Sequence, residues 1–139
     1  DLGTRTLGLS LSDITGTIAT TLKTIRFEEK DYDTLLPILK EMVEQYQVTG
    51  IVLGLPKNMN NTLGPRAEAS KNYGKLLEER FALPVDFCDE RLTTVEAERM
   101  LVEQADTSRK KRKQVIDKLA AGLILQNYLD SKGKLLSEL

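Results

Sequence analysis

Residues 6–12, Thr-Leu-Gly-Leu-Ser-Leu-Ser, alternate small or polar side chains with leucines. A period of two belongs to a strand buried on one face, so the chain opens on a sheet. Asp13 to Gly16 carry turn chemistry, and residues 18–25 are rich in Thr and Ile, which predicts a second strand closing a hairpin. Asp1-Leu2, ahead of Gly3, reads as the end of an earlier strand. Because Asp1 stands where an initiator Met would be, we expect that N-terminal strand to be truncated.

From Asp31 the period changes. Leu35, Leu36, Ile38, Leu39, Met42, Val43 and Tyr46 recur at helical spacing over about four turns. Thr49-Gly50 ends that helix, and Ile51-Val52-Leu53 forms a short buried strand running into Gly54-Leu55-Pro56. A polar loop follows, then a helix from about Pro65 to Arg80 and a strand over 83–88 that ends in Asp89-Glu90-Arg91. Thr93 and Glu96 have capping-box spacing and start a helix reaching about Val102. A last helix spans roughly Arg109 to Leu129. Strands that alternate with helices after an opening hairpin predict one α/β domain over residues 1–139. Its sheet is expected to be mixed and five-stranded, with three antiparallel strands first and helices on both faces.

Composition narrows the chemistry. The 139 residues suit one domain; 40% are apolar, 29% are charged and only 4 are proline, which is globular rather than disordered. There is no His, and Cys88 is the only cysteine. Triads built on imidazole, zinc sites of His and Cys, and disulfides within the chain are all excluded. Catalysis would have to rest on carboxylates, hydroxyls, Lys and Arg, with a hard oxygen-preferring cation. The net charge of −1 gives no global attraction to nucleic acid or membrane, so such contacts need a local patch. No apolar run approaches the roughly 20 residues of a membrane span. A cytoplasmic protein with no membrane partner is expected.

Carboxylates stand at the positions where a sheet of this kind gathers its strand ends. Asp1 closes the opening strand, Asp89 and Glu90 follow the last strand, and Asp117 lies in the final helix beside Ala120 and Ala121. Ligands of open α/β sheets bind beyond the carboxyl ends of strands. Converging carboxylates there would hold divalent cations, which neutralise a phosphodiester and activate water. Each acid also has a plainer reading: a turn for Asp1, pairing with Arg91 for Asp89, an i,i+4 ion pair with Lys113 for Asp117. Ile116, Leu119, Ala120 and Leu123 are expected to mark the packed face of that helix. A second constellation is basic. Arg109, Lys110, Lys111, Arg112 and Lys113 open the last helix, where the helix dipole prefers anions, so a phosphate-bearing partner is the alternative to a solvated charge run. Lys57 and Asn58 offer further donors in the loop after Pro56.

In order along the chain come Asp1-Leu2-Gly3-Thr4-Arg5-Thr6-Leu7-Gly8, Gly54-Leu55-Pro56-Lys57-Asn58-Met59, Gly64-Pro65-Arg66-Ala67, Asp89-Glu90-Arg91-Leu92-Thr93-Thr94 with Glu96-Ala97, and Asp117-Lys118-Leu119-Ala120-Ala121. This set resembles the YqgF/RuvX family over essentially the whole chain. The resemblance implies a ribonuclease H-like fold, preceded by a short strand before the first Asp, and a metal-dependent nuclease. Members are described as nucleases maturing the 5′ end of pre-16S ribosomal RNA and also as Holliday junction resolvases, by analogy with RuvC. It further implies that Asp1, Glu90 and Asp117 bind Mg²⁺ or Mn²⁺, with Asp89 a fourth catalytic acid. For a nuclease of this kind, we expect Arg5, Lys57, Asn58, Arg91 and residues 109–113 to hold the nucleic acid. RuvC places an acid after the strand matching Ile51 to Leu53, where this chain has Gly54-Leu55-Pro56. Structured RNA is therefore favoured over branched DNA, with ribosomal precursor particles as partners and a monomer or homodimer as the working form. Two other readings stand beside it. One is a module that binds RNA or ribosomes without cleaving; the other is an actin-like ATPase half, for which Asp1-Leu2-Gly3-Thr4 resembles the first phosphate loop.

Overall fold

The structure, a computed structural model, describes residues 1–56, 64–89 and 119–131. Strand β1 (Thr6–Ser12) pairs antiparallel with β2 (Ala19–Arg26). A 3-10 turn at Tyr32–Thr34 leads into helix α1 (Leu35–Tyr46). Strand β3 (Ile51–Leu55), helix α2 (Pro65–Phe81) and strand β4 (Val85–Asp89) follow, with β3 and β4 parallel. Residues 119–131 are helical and are called α3 below. The expected helix over 93–102 lies outside the described residues.

The described elements follow the predicted order. Among the described strands there are two two-stranded sheets, β1–β2 and β3–β4. No ladder joins β1 to β3. A cavity of about 790 Å³ lies between the two pairs, lined by residues of both strands and by Leu39 and Met42 of α1, Leu77 of α2 and Ile124 of α3. The opening residues do add to β1 in the antiparallel sense. Leu2 bridges Leu7, the Gly8 amide donates to the Asp1 carbonyl at 2.9 Å, and the Gly3 amide donates to the Thr6 carbonyl at 2.8 Å.

Alternation along the strands sorts the helices onto two sides. Leu7 and Leu9 of β1 and Ile25 of β2 join Leu35, Leu53, Tyr73 and Leu77 in a core shared with α1 and α2. On the other side, Ser10 Oγ donates to the Ala121 carbonyl of α3 at 2.8 Å. Strand β4 behaves the same way. Phe87 and Val85 pack on Gly74 of α2, whereas Asp86 accepts a hydrogen bond from Tyr128 of α3 at 2.8 Å. Helix α3 therefore touches both strand pairs from one side, and the core of α1 and α2 touches both from the other.

Turn chemistry closes the hairpin as predicted. The Asp13 carboxylate accepts from the amides of Thr17 and Ile18 and from the Thr15 hydroxyl, and these bonds hold its pKa below the usual carboxylate value, the Thr15 bond contributing most. Among the described residues, no helix is long and apolar enough to cross a membrane.

Candidate active site

Asp1 is half-buried on the strand segment that pairs with β1, and its amino group donates to the Gly8 carbonyl at 3.0 Å. Opposite it, Gly8 lacks a side chain where one would fill the space between strand and helix. A Cβ built on Gly8 would lie 3.3 Å from the Ala121 Cβ and 3.6 Å from the Asp1 Cβ. A strand glycine of this kind marks close approach of another element. Here it lets α3 settle directly beside Asp1.

Three further contacts fix the position of α3. A bulge after Leu9 shifts the register so that Ser10 pairs with Thr21 instead of Leu22. Both hydroxyls then serve α3: Ser10 binds the Ala121 carbonyl, and Thr21 lies against Gly122, where a Cβ would sit only 2.6 Å from the Thr21 Oγ1. At the far end, Gln126 accepts from the Ala19 amide and donates to the Thr17 carbonyl, both at 2.9 Å. The buried residues of α3 are Ala121 and Ile124, which corrects the expected packed face of Leu119, Ala120 and Leu123; those three are only half-buried. Ile116, the fourth residue of that expected face, lies outside the described residues. At the closest approach of α3 to strand backbone the small Ala121 takes the buried place, opposite Gly8.

Asp89 is half-buried at the carboxyl end of β4, side by side with Leu55 at the end of β3. The acid-free end of β3 noted in the sequence is thus the immediate neighbour of Asp89. Arg5 is exposed and pairs with Glu29 at 3.4 Å, a surface contact worth little, which leaves its guanidinium available to exchange partners. A cleft of about 160 Å³ separates the Gly3-Thr4 turn from the first turns of α2 and is edged by Lys30 and Arg66. Glu90, Asp117, Lys57, Asn58, Arg91 and residues 109–113 lie outside the described residues. Among the described residues no three acids or cysteines gather into a metal-sized group, and of the expected metal ligands only Asp1 is one of them. Its donor is a carboxylate, suited to a hard cation such as Mg²⁺ or Mn²⁺.

Sequence reasoning missed Gly8, Ser10 and Gln126 as parts of the site's frame. A glycine inside an alternating strand was the available signal for the first. Nothing local distinguishes Ser10 or Gln126, whose partners are more than 100 residues away in the chain.

The sequence model of the RuvX family, described as Holliday junction resolvase, matches residues 1–131. The chain belongs to the RuvX family. A relative from Ligilactobacillus salivarius, named "Putative pre-16S rRNA nuclease", is 64% identical over 139 residues, covering 100% of this chain and 95% of its own. Relatives of the same name from Pediococcus pentosaceus and Levilactobacillus brevis are 62% and 64% identical, covering 100% and 99% of this chain and 95% of their own.

Proposed function

We propose that this RuvX-family chain is a metal-dependent nuclease that hydrolyses phosphodiesters in the 5′-end maturation of pre-16S ribosomal RNA. One observation carries the reading: α3 is seated on Gly8 next to Asp1, and in the sequence Asp117 stands four residues before Ala121. Glu90 completes the set, since it directly follows Asp89 at the carboxyl edge that β3 and β4 share. Helix α3 bound to both strand pairs, and a core common to both, support a single ribonuclease H-like domain in which the two pairs are parts of one sheet.

In this reading Asp1, Glu90 and Asp117 hold Mg²⁺ or Mn²⁺, with Asp89 beside them. When bound, the cation supplies neutralisation of the phosphate and activation of water. The chain's own residues do the rest. Carboxylates from three separate elements fix the site, while Arg5, Lys57, Asn58, Arg91 and residues 109–113 draw in and orient the RNA backbone. The protein works in the cytoplasm, on ribosomal precursor particles. The family description favours a second substrate, the four-way DNA junction; Leu55-Pro56 at the end of β3, where RuvC carries an acid, speaks for RNA.

The test is hydrolysis of a labelled pre-16S leader RNA with Mn²⁺ by the chain and by Asp1→Asn. Cleavage by the variant falls roughly a hundredfold or more, the scale on which removal of one charge-stabilising group acts. Equal cleavage by both removes Asp1 from the site. Cutting of a four-way DNA junction in preference to the leader reassigns the substrate.

A further inference from the structure

We propose that the cleft between the Gly3-Thr4 turn and the first turns of α2 is a phosphate subsite for the nucleic-acid backbone, with Ser70, Arg66 and Lys30 as its donors. The backbone as ligand rests on the nuclease reading; the affinity for phosphate does not.

Ser70 carries the argument. It lines the cleft and is 1% exposed, and among the described residues its Oγ has no hydrogen-bond partner. A serine inside a helix ordinarily points to water or bonds the carbonyl four residues back, here that of Arg66. Ser70 does neither. A buried hydroxyl without a partner costs stability until an acceptor reaches it. Arg66 lies one turn earlier on the same side of α2, and Lys30 stands at the rim. Both are exposed, and neither has an ion pair among the described residues. Glu29 also lines the cleft, but Arg5 pairs with it at 3.4 Å, so the rim keeps an excess of positive charge. The helix start adds to it. Gly64 at the cap has no side chain and Pro65 has no N–H, and the amides of Arg66 and Ala67 precede the first intrahelical bond, from the Glu68 amide to the Gly64 carbonyl at 3.1 Å. Such amides favour phosphate. The volume of about 160 Å³ is that of about five waters, room for one such group. Gly3 follows Asp1 by two residues, so the cleft opens within about 7 Å of it along the chain. A phosphate held here is a neighbour of the one that Asp1 would help to cut.

Two probes test this, inorganic phosphate and a single-stranded RNA oligonucleotide. Ser70→Ala removes the orphaned hydroxyl and installs the best helix former, so without phosphate its Tm is no lower than the parent's. A lower Tm would show that the hydroxyl already has a partner, and would overturn the subsite. Sodium phosphate raises the parent's Tm above its value in sodium chloride of equal ionic strength, and this rise is largely lost in Ser70→Ala and in Arg66→Gln. In filter binding at fixed salt, RNA affinity falls about fivefold in both variants. Arg66→Gln also flattens the salt dependence by about 0.7, one phosphate contact on a single strand, while Ser70→Ala, which removes no charge, leaves it unchanged. No rise in the parent, or an undiminished rise in either variant, overturns the subsite. Loss of the rise with undiminished RNA affinity overturns the backbone as its ligand and leaves a site for free phosphate. None of these readouts needs cleavage, so a chain that passes them without cutting RNA loses the nuclease reading and keeps the subsite.

Discussion

Tyr73 places a phenol in the core, 4% exposed, its ring 5.7 Å from that of Tyr32 and its hydroxyl 3.5 Å from the Tyr32 carbonyl. Burial, and then the negative charge of Asp33, push its pKa up to about 12 from the ordinary 10.0. The folded state thus keeps a proton that the unfolded chain releases near pH 10. Stability from this group is complete below pH 10 and is lost as pH rises toward 12. Two pH units correspond to on the order of 2 kcal/mol. Urea denaturation at pH 9 and at pH 11.5 should show a drop of that order in the parent chain and a clearly smaller one in Tyr73→Phe, whose own cost at pH 9 is below about 1 kcal/mol because the hydrogen bond is long. Equal drops in both would mean that Tyr73 ionises as readily folded as unfolded.

Elements meet most closely where a glycine replaces a side chain. Gly74 lies within α2, where alanine would ordinarily gain about 1 kcal/mol. A Cβ there would stand 2.7 Å from Phe87 Cζ and 3.0 Å from its Cε1, so the phenyl ring of β4 has to move. Overpacking of this kind costs about 1–3 kcal/mol, which outweighs the helical gain. Gly74→Ala therefore lowers the urea midpoint, and Phe87→Leu in the same chain recovers part of the loss. A Gly74→Ala chain more stable than its parent would show that α2 and β4 are not this close. Periodicity placed α2 and β4 in the sequence. It carried no information on which glycine separates them, because one residue in a helix of 17 looks like any other until its neighbour is known. The bulge after Leu9 was equally hidden. It exchanges Leu22 for Thr21 opposite Ser10, a matter of register that alternation along β1 alone does not reveal.

At the scale of the molecule, a net charge of −1 means that affinity for nucleic acid comes from a patch and is screened by salt. If residues 109–113 meet the RNA backbone, log affinity falls with log salt at about 0.7 per phosphate contact on a single strand. Replacing all five with Gln should flatten that slope by up to about 3.5 in filter-binding measurements, with cleavage surviving at low salt. An unchanged slope would return those residues to the solvated surface.

What the sequence alone determined is the alternation of strands and helices, the hairpin and its Asp13 turn, the absence of imidazole chemistry, and, through its motifs, the family. These are local: periodicity, turn residues and residue type act within a few positions. How the strand pairs face one another, the cavity between them, and the stripe of α3 that packs were decided only in three dimensions. Each depends on which backbones can approach one another, and that is set by residues such as Gly8 and Ala121, which lie 113 positions apart and become neighbours only when the chain has folded.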